Sequence, residues 1–471
     1  MIKQYPRLVI AGTNSGVGKS IISTGIMQVL TQLGYSVQGF KVGPDYIDPS
    51  YHTYATGRPS RNLDTYLLGK QGIKEIYLRQ SGATDIAIIE GVMGLFDGKD
   101  GRGEMGSTAE VAKTLQAPVI LVVDCRSMAR SAAAVVKGFA QFDPQLNLKG
   151  VILNQIGSDN HEDLLRDAMA DLGIPVVGAI RKGSLPSLTS RHLGLVPAKE
   201  KGVDQEAFRL LTETLKESID FELLLNISSE AGKLDLEGFS PHIFVEETKN
   251  SFPGLRIGYA WDEAFSFYYQ DSLEYLEHLG AVLIPFSPLY DQKLPEDLDG
   301  LIIGGGFPEL YAQILSDNKS IHQEIYNFSR QGKPIYCEGG GMMYLTESIR
   351  DFEGNVFPQV GLIPARSIMH KKRQALGYYQ GKTLKPSILG PRGTSIKGHE
   401  FHYSTLEAIE DFPLGVSLTK GRGKDKIEGY LEKKIYASYL HQHWAGERQM
   451  AQGFLHSCLN GKKKTLDIRK A

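Results

Sequence analysis

RLVIAGTNSGVGKS, running from Arg7 to Ser20, decides the fold of the first half of the chain. A short apolar run meets a glycine loop, then Lys19-Ser20, then the helix-compatible IISTGIMQVLTQLG. Strand, glycine loop, Lys-Ser and helix form a phosphate-binding arrangement, because backbone N–H groups and the positive end of the helix dipole converge on one anion. Gly16 and Gly18 let the backbone close around a phosphate, and Lys19 reaches the outer phosphates. Ser20 offers a hydroxyl to Mg²⁺, a hard cation that shares oxygen ligands with nucleotide phosphates. The strict GxxxxGK[ST] pattern is not met: Thr13 stands at the position of its first glycine, and counted from Gly12 the loop is one residue longer.

Outward from this loop, short Val- and Ile-rich runs alternate with helical stretches: VQGFKVG, DIAIIEG, APVILVVD, LKGVILNQIG and IPVVGAI. Such runs read as strands of a parallel sheet covered on both faces, which predicts a doubly wound α/β domain. Ligands of these sheets sit beyond the carboxyl ends of the strands. At those ends stand Lys41, then Asp45 and Asp48 in KVGPDYIDPSYH, Glu90 and Asp97 in IAIIEGVMGLFDG, and Asn154 in VILN. Carboxylates there complete a Mg²⁺ shell, for which Asp45 and Glu90 join Ser20, or orient a nucleophile toward a γ-phosphate. Lys41 is a second cation for the transferring phosphoryl group. Asn154 either reads the nucleotide base through its amide or is a turn residue.

The chain has 471 residues, 41% hydrophobic and 23% charged, which suits two or three globular domains. A net charge of −2 gives no footprint for nucleic acid or an anionic membrane, so a compact ligand is expected. No apolar run is long enough to span a bilayer, and the N-terminus lacks a signal-peptide pattern. Three scattered cysteines fit a reducing compartment, so a cytoplasmic location is expected. The first domain is expected over 1–225, a polar linker over 226–253 and a second domain over 254–471. Oligomeric state is left open, and a homo-oligomer is compatible.

The second domain opens its own strand-helix series with LRIGYAWD, AVLIPFSP, DGLIIGGGFPEL and KPIYCEGGGMMYL. From about Phe357 to Glu432 it becomes glycine-punctuated and strand-like without crossover helices, and it closes with IYASYLHQHW and a helix. In KPIYCEGGGMMYL, Cys337 follows an apolar strand and precedes a glycine turn, which reads as a nucleophile elbow. A thiol needs a base or a helix N-terminus to ionise at neutral pH, and His441 in SYLHQHW is the candidate base. The turn Gly304–Glu309, with the N–H of Glu338, is the candidate oxyanion site. The competing reading is that Cys337 is an inert core residue; the flanking glycines favour the nucleophile.

Together these residues resemble the cobyrinic acid a,c-diamide synthase family of cobalamin biosynthesis. KVGPDYIDPSYH, RNLDTYL, EGVMGLFDG and GHEFHYS carry the resemblance, which runs from about Arg7 to the last helix. It implies a dethiobiotin synthetase-like ATPase domain followed by a class I glutamine amidotransferase-like α/β domain of the cobalamin-pathway type. It also implies ATP as co-substrate, Mg²⁺, L-glutamine as nitrogen donor and cobyrinate, a corrinoid polycarboxylate, as acceptor. Roles implied at matching positions are Lys19 and Ser20 on phosphate and Mg²⁺; Asp45, Asp48, Glu90 and Asp97 around the phosphoryl group and substrate carboxylate; Cys337 as nucleophile; and His441 as its activator. Ordinary class I amidotransferases carry a glutamate two residues after that histidine; here His443 stands there, which leaves open what orients His441. Alternatives are hydrogenobyrinate or Ni-sirohydrochlorin as the tetrapyrrole, or, in a different class, a partitioning-type ATPase switch. Asn14 stands where such switches often carry the lysine that begins the loop.

Overall fold

The computed structural model describes residues 5–186, 190–191, 194–195, 204–234, 239–411, 414–421 and 425–470. The chain divides into two compact units, Met1–His242 and Ile243–Ala471. Within the stretch expected to be a linker, the helix Phe221–Ser229 runs on past Asn226, with Ile227 and Ser228 buried.

The first unit is built on a seven-stranded sheet in the order Arg61–Leu63, Val37–Val42, Ile86–Glu90, Arg7–Gly12, Val119–Asp124, Leu148–Ile156, Val176–Arg181. Neighbours run parallel throughout. The strands Arg7–Gly12, Val37–Val42 and Ile86–Glu90 are buried at every position, as runs of Val and Ile sandwiched between helices must be. Leu8, Ile10, Ile88, Ile120, Val122 and Ile152 from the sheet pack with Ile22, Ile26 and Leu30 of the helix Lys19–Gln32. The first strand lies centrally, so the loop that follows it emerges where the strand order reverses, the usual ligand crevice of such sheets.

The second unit holds a nine-stranded mixed sheet: Ala281–Phe286, Leu255–Ala260, Gly300–Ile303, Ile335–Glu338, Ile435–Ser438, Lys426–Glu432, Leu414–Thr419, Ala375–Thr383, Ser395–His402. The first five run parallel and the rest pair antiparallel. A four-stranded sheet (Val356–Pro358, Thr346–Arg350, Ile363–Met369, Ser404–Ala408) accompanies it. Both halves of the molecule are therefore α/β, and no helix among the described residues is long and apolar enough to cross a membrane.

Candidate active sites

In the first unit the helix Lys19–Gln32 starts at Gly18 in a left-handed conformation (φ 96°), with no side-chain cap and no acidic residue in its first turn. Its leading N–H groups are therefore not answered by a side-chain cap, which is how an anion site at a helix N-terminus is made. Gly16 is also left-handed (φ 83°). A Cβ on Gly18 would lie 2.7 Å from Asn154 Nδ2, so Gly18 also permits close packing. Lys19 bends back across the loop, donating from Nζ to the Asn14 carbonyl at 3.1 Å. Burial, with Lys41 nearby, lowers its pKa to about 8.

Beside the loop, four side chains converge. Ser20 Oγ lies 2.7 Å from Glu90 Oε1 and 3.0 Å from Asp48 Oδ2. Lys41 Nζ donates to both those oxygens at 2.6 Å and to the Gly91 carbonyl at 3.2 Å. A fifth residue, His52, closes the cluster from behind: Nε2 is 2.6 Å from Glu90 Oε2 and Nδ1 is 3.2 Å from Ser60 Oγ. Asp48 and His52 are one helical turn apart at the start of Asp48–Thr56, so one face delivers both. Burial opposes charge on Lys41, but Asp48 and Glu90 outweigh it and hold the ammonium above its ordinary range. Burial would raise Glu90 too; Lys41 and His52 overcome it and hold that carboxyl well below the usual range. Asp48 goes the other way, because burial and the neighbouring charges of Asp45 and Glu90 exceed its share of Lys41.

Other expected residues take different posts. Asp45 is not in the Ser20 cluster: its Oδ1 accepts from the N–H of Ile47 at 2.8 Å and of Asp48 at 3.1 Å, shaping the turn into the helix. The oxygen set beside the loop is thus Ser20, Asp48 and Glu90, a correction to the set with Asp45. Asp97 Oδ2 accepts from Gly94 N–H at 2.9 Å and braces the loop after Glu90. The Asn154 amide donates to the Val17 carbonyl at 2.9 Å and its oxygen accepts from Gln155 N–H at 2.8 Å. Asn154 therefore props the phosphate loop from below instead of presenting its amide to a base.

The second unit carries a strand-turn-helix whose strained residue is Gly339 (φ 48°, ψ −113°), between the strand Ile335–Glu338 and the helix Gly340–Leu345. The helix is pressed onto the turn Gly304–Gly306: a Cβ on Gly341 would meet the Ile303 carbonyl oxygen at 2.0 Å, and one on Gly340 the Gly306 oxygen at 2.7 Å. His441 stands beside the apex. A Cβ on Gly339 would lie 2.6 Å from its Nε2, and its Nδ1 is 3.4 Å from Glu338 Oε2. Glu338 is held by Tyr336 Oη and by Gln442 N–H, the latter at 2.9 Å. What faces His441 on its far nitrogen is thus Glu338, from the opposite strand. His443 is stacked on Tyr269 at 4.6 Å, with Nδ1 3.4 Å from Ser272 Oγ, and burial lowers its pKa to about 3.

Cys337 is not the elbow residue. It lies inside the strand, two residues before the apex, fully buried among Ile303, Ile335, Met342 and Ala437. Side chains alternate along a strand, so Cys337 points to the opposite face from Glu338, the residue that holds His441. Burial raises its thiol well above the usual range, with Glu338 pushing the same way against a hydrogen bond to the Ile303 backbone. The expectation of Cys337 as nucleophile is corrected by this geometry. The sequence reading named Glu338 only for its N–H and missed its carboxylate, along with His52 and the Gly339 apex. The Asp48-to-His52 spacing could have revealed His52; the other two depend on where the strand ends.

Residues 8–196 match the CobQ/CobB/MinD/ParA nucleotide binding domain, and residues 256–449 the CobB/CobQ-like glutamine amidotransferase domain. A cobyrinate a,c-diamide synthase of Leptospira interrogans is 43% identical over 459 residues, covering 97% of this chain and 99% of that one. The chain belongs to the cobyrinate a,c-diamide synthase family. Among other members, an enzyme of that name from Archaeoglobus fulgidus is 42% identical, covering 97% of this chain and 98% of its own. A hydrogenobyrinate a,c-diamide synthase of Streptomyces coelicolor is 40% identical, with 96% and 97% covered. Family membership makes the chain an amidating ligase and leaves the partitioning-type switch unsupported.

Proposed function

We propose that the chain converts the a- and c-acetate carboxylates of cobyrinate to amides at the expense of ATP, each through an acyl phosphate. The observation that supports this most is the cluster of Ser20, Lys41, Asp48 and Glu90 beside a helix N-terminus that no side chain caps. Phosphoryl transfer asks a protein mainly for positioning and charge neutralisation. Lys19 neutralises the outer phosphates, and Lys41, kept charged by its two carboxylates, faces the same place. His52 fixes Glu90 from behind, so Glu90 stays ionised and oriented.

The hydroxyl of Ser20 and the carboxylates of Asp48 and Glu90 are hard oxygen donors, a set that fits Mg²⁺. Mg²⁺ bound there supplies charge neutralisation for the phosphates. Asp45 and Asp97 act as positioning residues for the two loops that flank this set. The unit Met1–His242 carries the synthetase and the unit Ile243–Ala471 the amidotransferase-type domain.

A heavy-oxygen label in the substrate carboxylates tests the acyl phosphate. Label appearing in the inorganic phosphate released, one atom per amide formed, is the expected result. Unlabelled phosphate alongside amide product would remove the acyl phosphate from the mechanism. Hydrogenobyrinate as acceptor is the second reading, motivated by the Streptomyces coelicolor relative's name; comparing rates on the two tetrapyrroles separates them.

A further inference from the structure

The elbow of the second unit has its base, the base's acidic partner and its strained apex, but the apex carries no side chain. Gly339 is the residue with the left-handed turn conformation, and the helix begins immediately after it, with Met342 N–H donating to the Gly339 carbonyl at 3.1 Å. The one direction in which a side chain could leave residue 339 leads to His441 Nε2, 2.6 Å from where its Cβ would be. On the other side of the ring, Nδ1 meets Glu338. In an acyl-transfer elbow the strand-to-helix apex holds the nucleophile within reach of the base. Here hydrogen replaces it.

None of the three cysteines stands in. Cys337 is enclosed in the core on the opposite strand face from Glu338. Cys458 lies in the last helix against Gly300, whose Cβ would come 2.5 Å from its sulfur, and Cys125 belongs to the other unit. All three are buried and unbridged.

We propose that this chain takes its nitrogen as free ammonia and does not release it from glutamine through a thioester. The proposal rests on the synthetase reading above. The step balances without a thiol: ammonia attacks the acyl phosphate carbon, the C–N bond forms, the C–O bond to phosphorus breaks, and inorganic phosphate departs with the surplus N–H proton.

The test uses the purified full chain with cobyrinate, Mg²⁺ and ATP, supplied with either ammonium chloride or L-glutamine, and reads both diamide and free glutamate. Ammonium is expected to support amidation; glutamine at equal concentration is expected to fall short by about a thousandfold or more, since loss of a triad nucleophile costs up to about a millionfold in kcat. Cys337→Ala is expected to leave the ammonium-dependent rate within about twofold. A diazoketone analogue of glutamine should leave wild-type protein unalkylated on every cysteine by mass spectrometry, and should alkylate Gly339→Cys at residue 339. Glutamate released in step with amide by wild type, or an adduct on Cys337, overturns the proposal even if Gly339→Cys does not fold. Failure of both nitrogen sources would instead sink the synthetase reading, and the alkylation result on wild type then still decides whether a competent thiol exists.

Discussion

Two aspartates three residues apart in PDYID have opposite jobs, and only coordinates separate them. Both follow a strand in a phosphate-loop domain, so sequence position treats them alike. The turn brings the Asp45 carboxylate onto the N–H groups of Ile47 and Asp48, and this sends Asp48 to Ser20 and Lys41. Asp48→Asn is therefore expected to lower kcat/KM for ATP-dependent amidation by about a hundredfold or more, and Asp45→Asn by about tenfold or less; steady-state kinetics on the two variants checks the order. Lys19 offers a second test. Its pKa of about 8 in the free protein must rise when phosphates arrive, so nucleotide binding takes up a proton above that pH. Affinity for ATP is expected to weaken by up to about tenfold per pH unit above pH 8, with buffer-dependent binding heats in calorimetry. Affinity that stays level from neutral to strongly alkaline pH contradicts it.

At the scale of elements, the phosphate loop was legible because strand, glycine spacing and helix each carry a local signal. The elbow was only half legible. KPIYCEGGG shows a strand meeting a glycine turn, but a cysteine just before three glycines invites the reading that it is the apex, whereas the strand continues through Glu338. Where a strand ends is set by pairing, here of Glu338 with Ser438, which a single sequence does not display. The tight seat of the elbow helix gives a prediction: Gly341→Ala drives a Cβ to within 2.0 Å of the Ile303 carbonyl oxygen. Overpacking against backbone should cost about 1–3 kcal/mol, read as a lower urea midpoint. In the other unit, Asn154→Ala strips the amide from the buried Val17 carbonyl at 2.9 Å. A loss of about 1–3 kcal/mol is expected by thermal unfolding, with weaker ATP binding as the loop loosens.

Across the whole molecule, most of the parallel sheet of the first half could be read directly, since six of its seven strands are short apolar runs between helical stretches; the three-residue edge strand Arg61–Leu63 carries no such signal. The second half was read correctly as α/β, but Phe357–Glu432 offered no periodicity that would divide it between two sheets. That unit also concentrates buried neutral histidines: burial lowers His399 and His443 to about 3 and His322 to about 4. A histidine with a depressed folded pKa binds its proton better when unfolded, so below the ordinary value near 6.5 the unfolded state holds more protons and stability falls with pH. Each contributes up to about 1.4 kcal/mol per pH unit over that window. Both tryptophans, Trp261 and Trp444, lie in this unit. The urea midpoint by tryptophan fluorescence is therefore expected to drop between pH 7 and about pH 5, and less so in His443→Phe. A midpoint that rises on acidification would contradict this.

The most direct test of the ligase itself is mass spectrometry of cobyrinate incubated with the full chain, Mg²⁺, ATP and ammonium. The expected product has lost a single mass unit twice in succession, as two hydroxyls are replaced by amines, with ADP formed in proportion. Unchanged cobyrinate alongside continuing ATP hydrolysis would contradict an amidating function and leave the chain an ATPase.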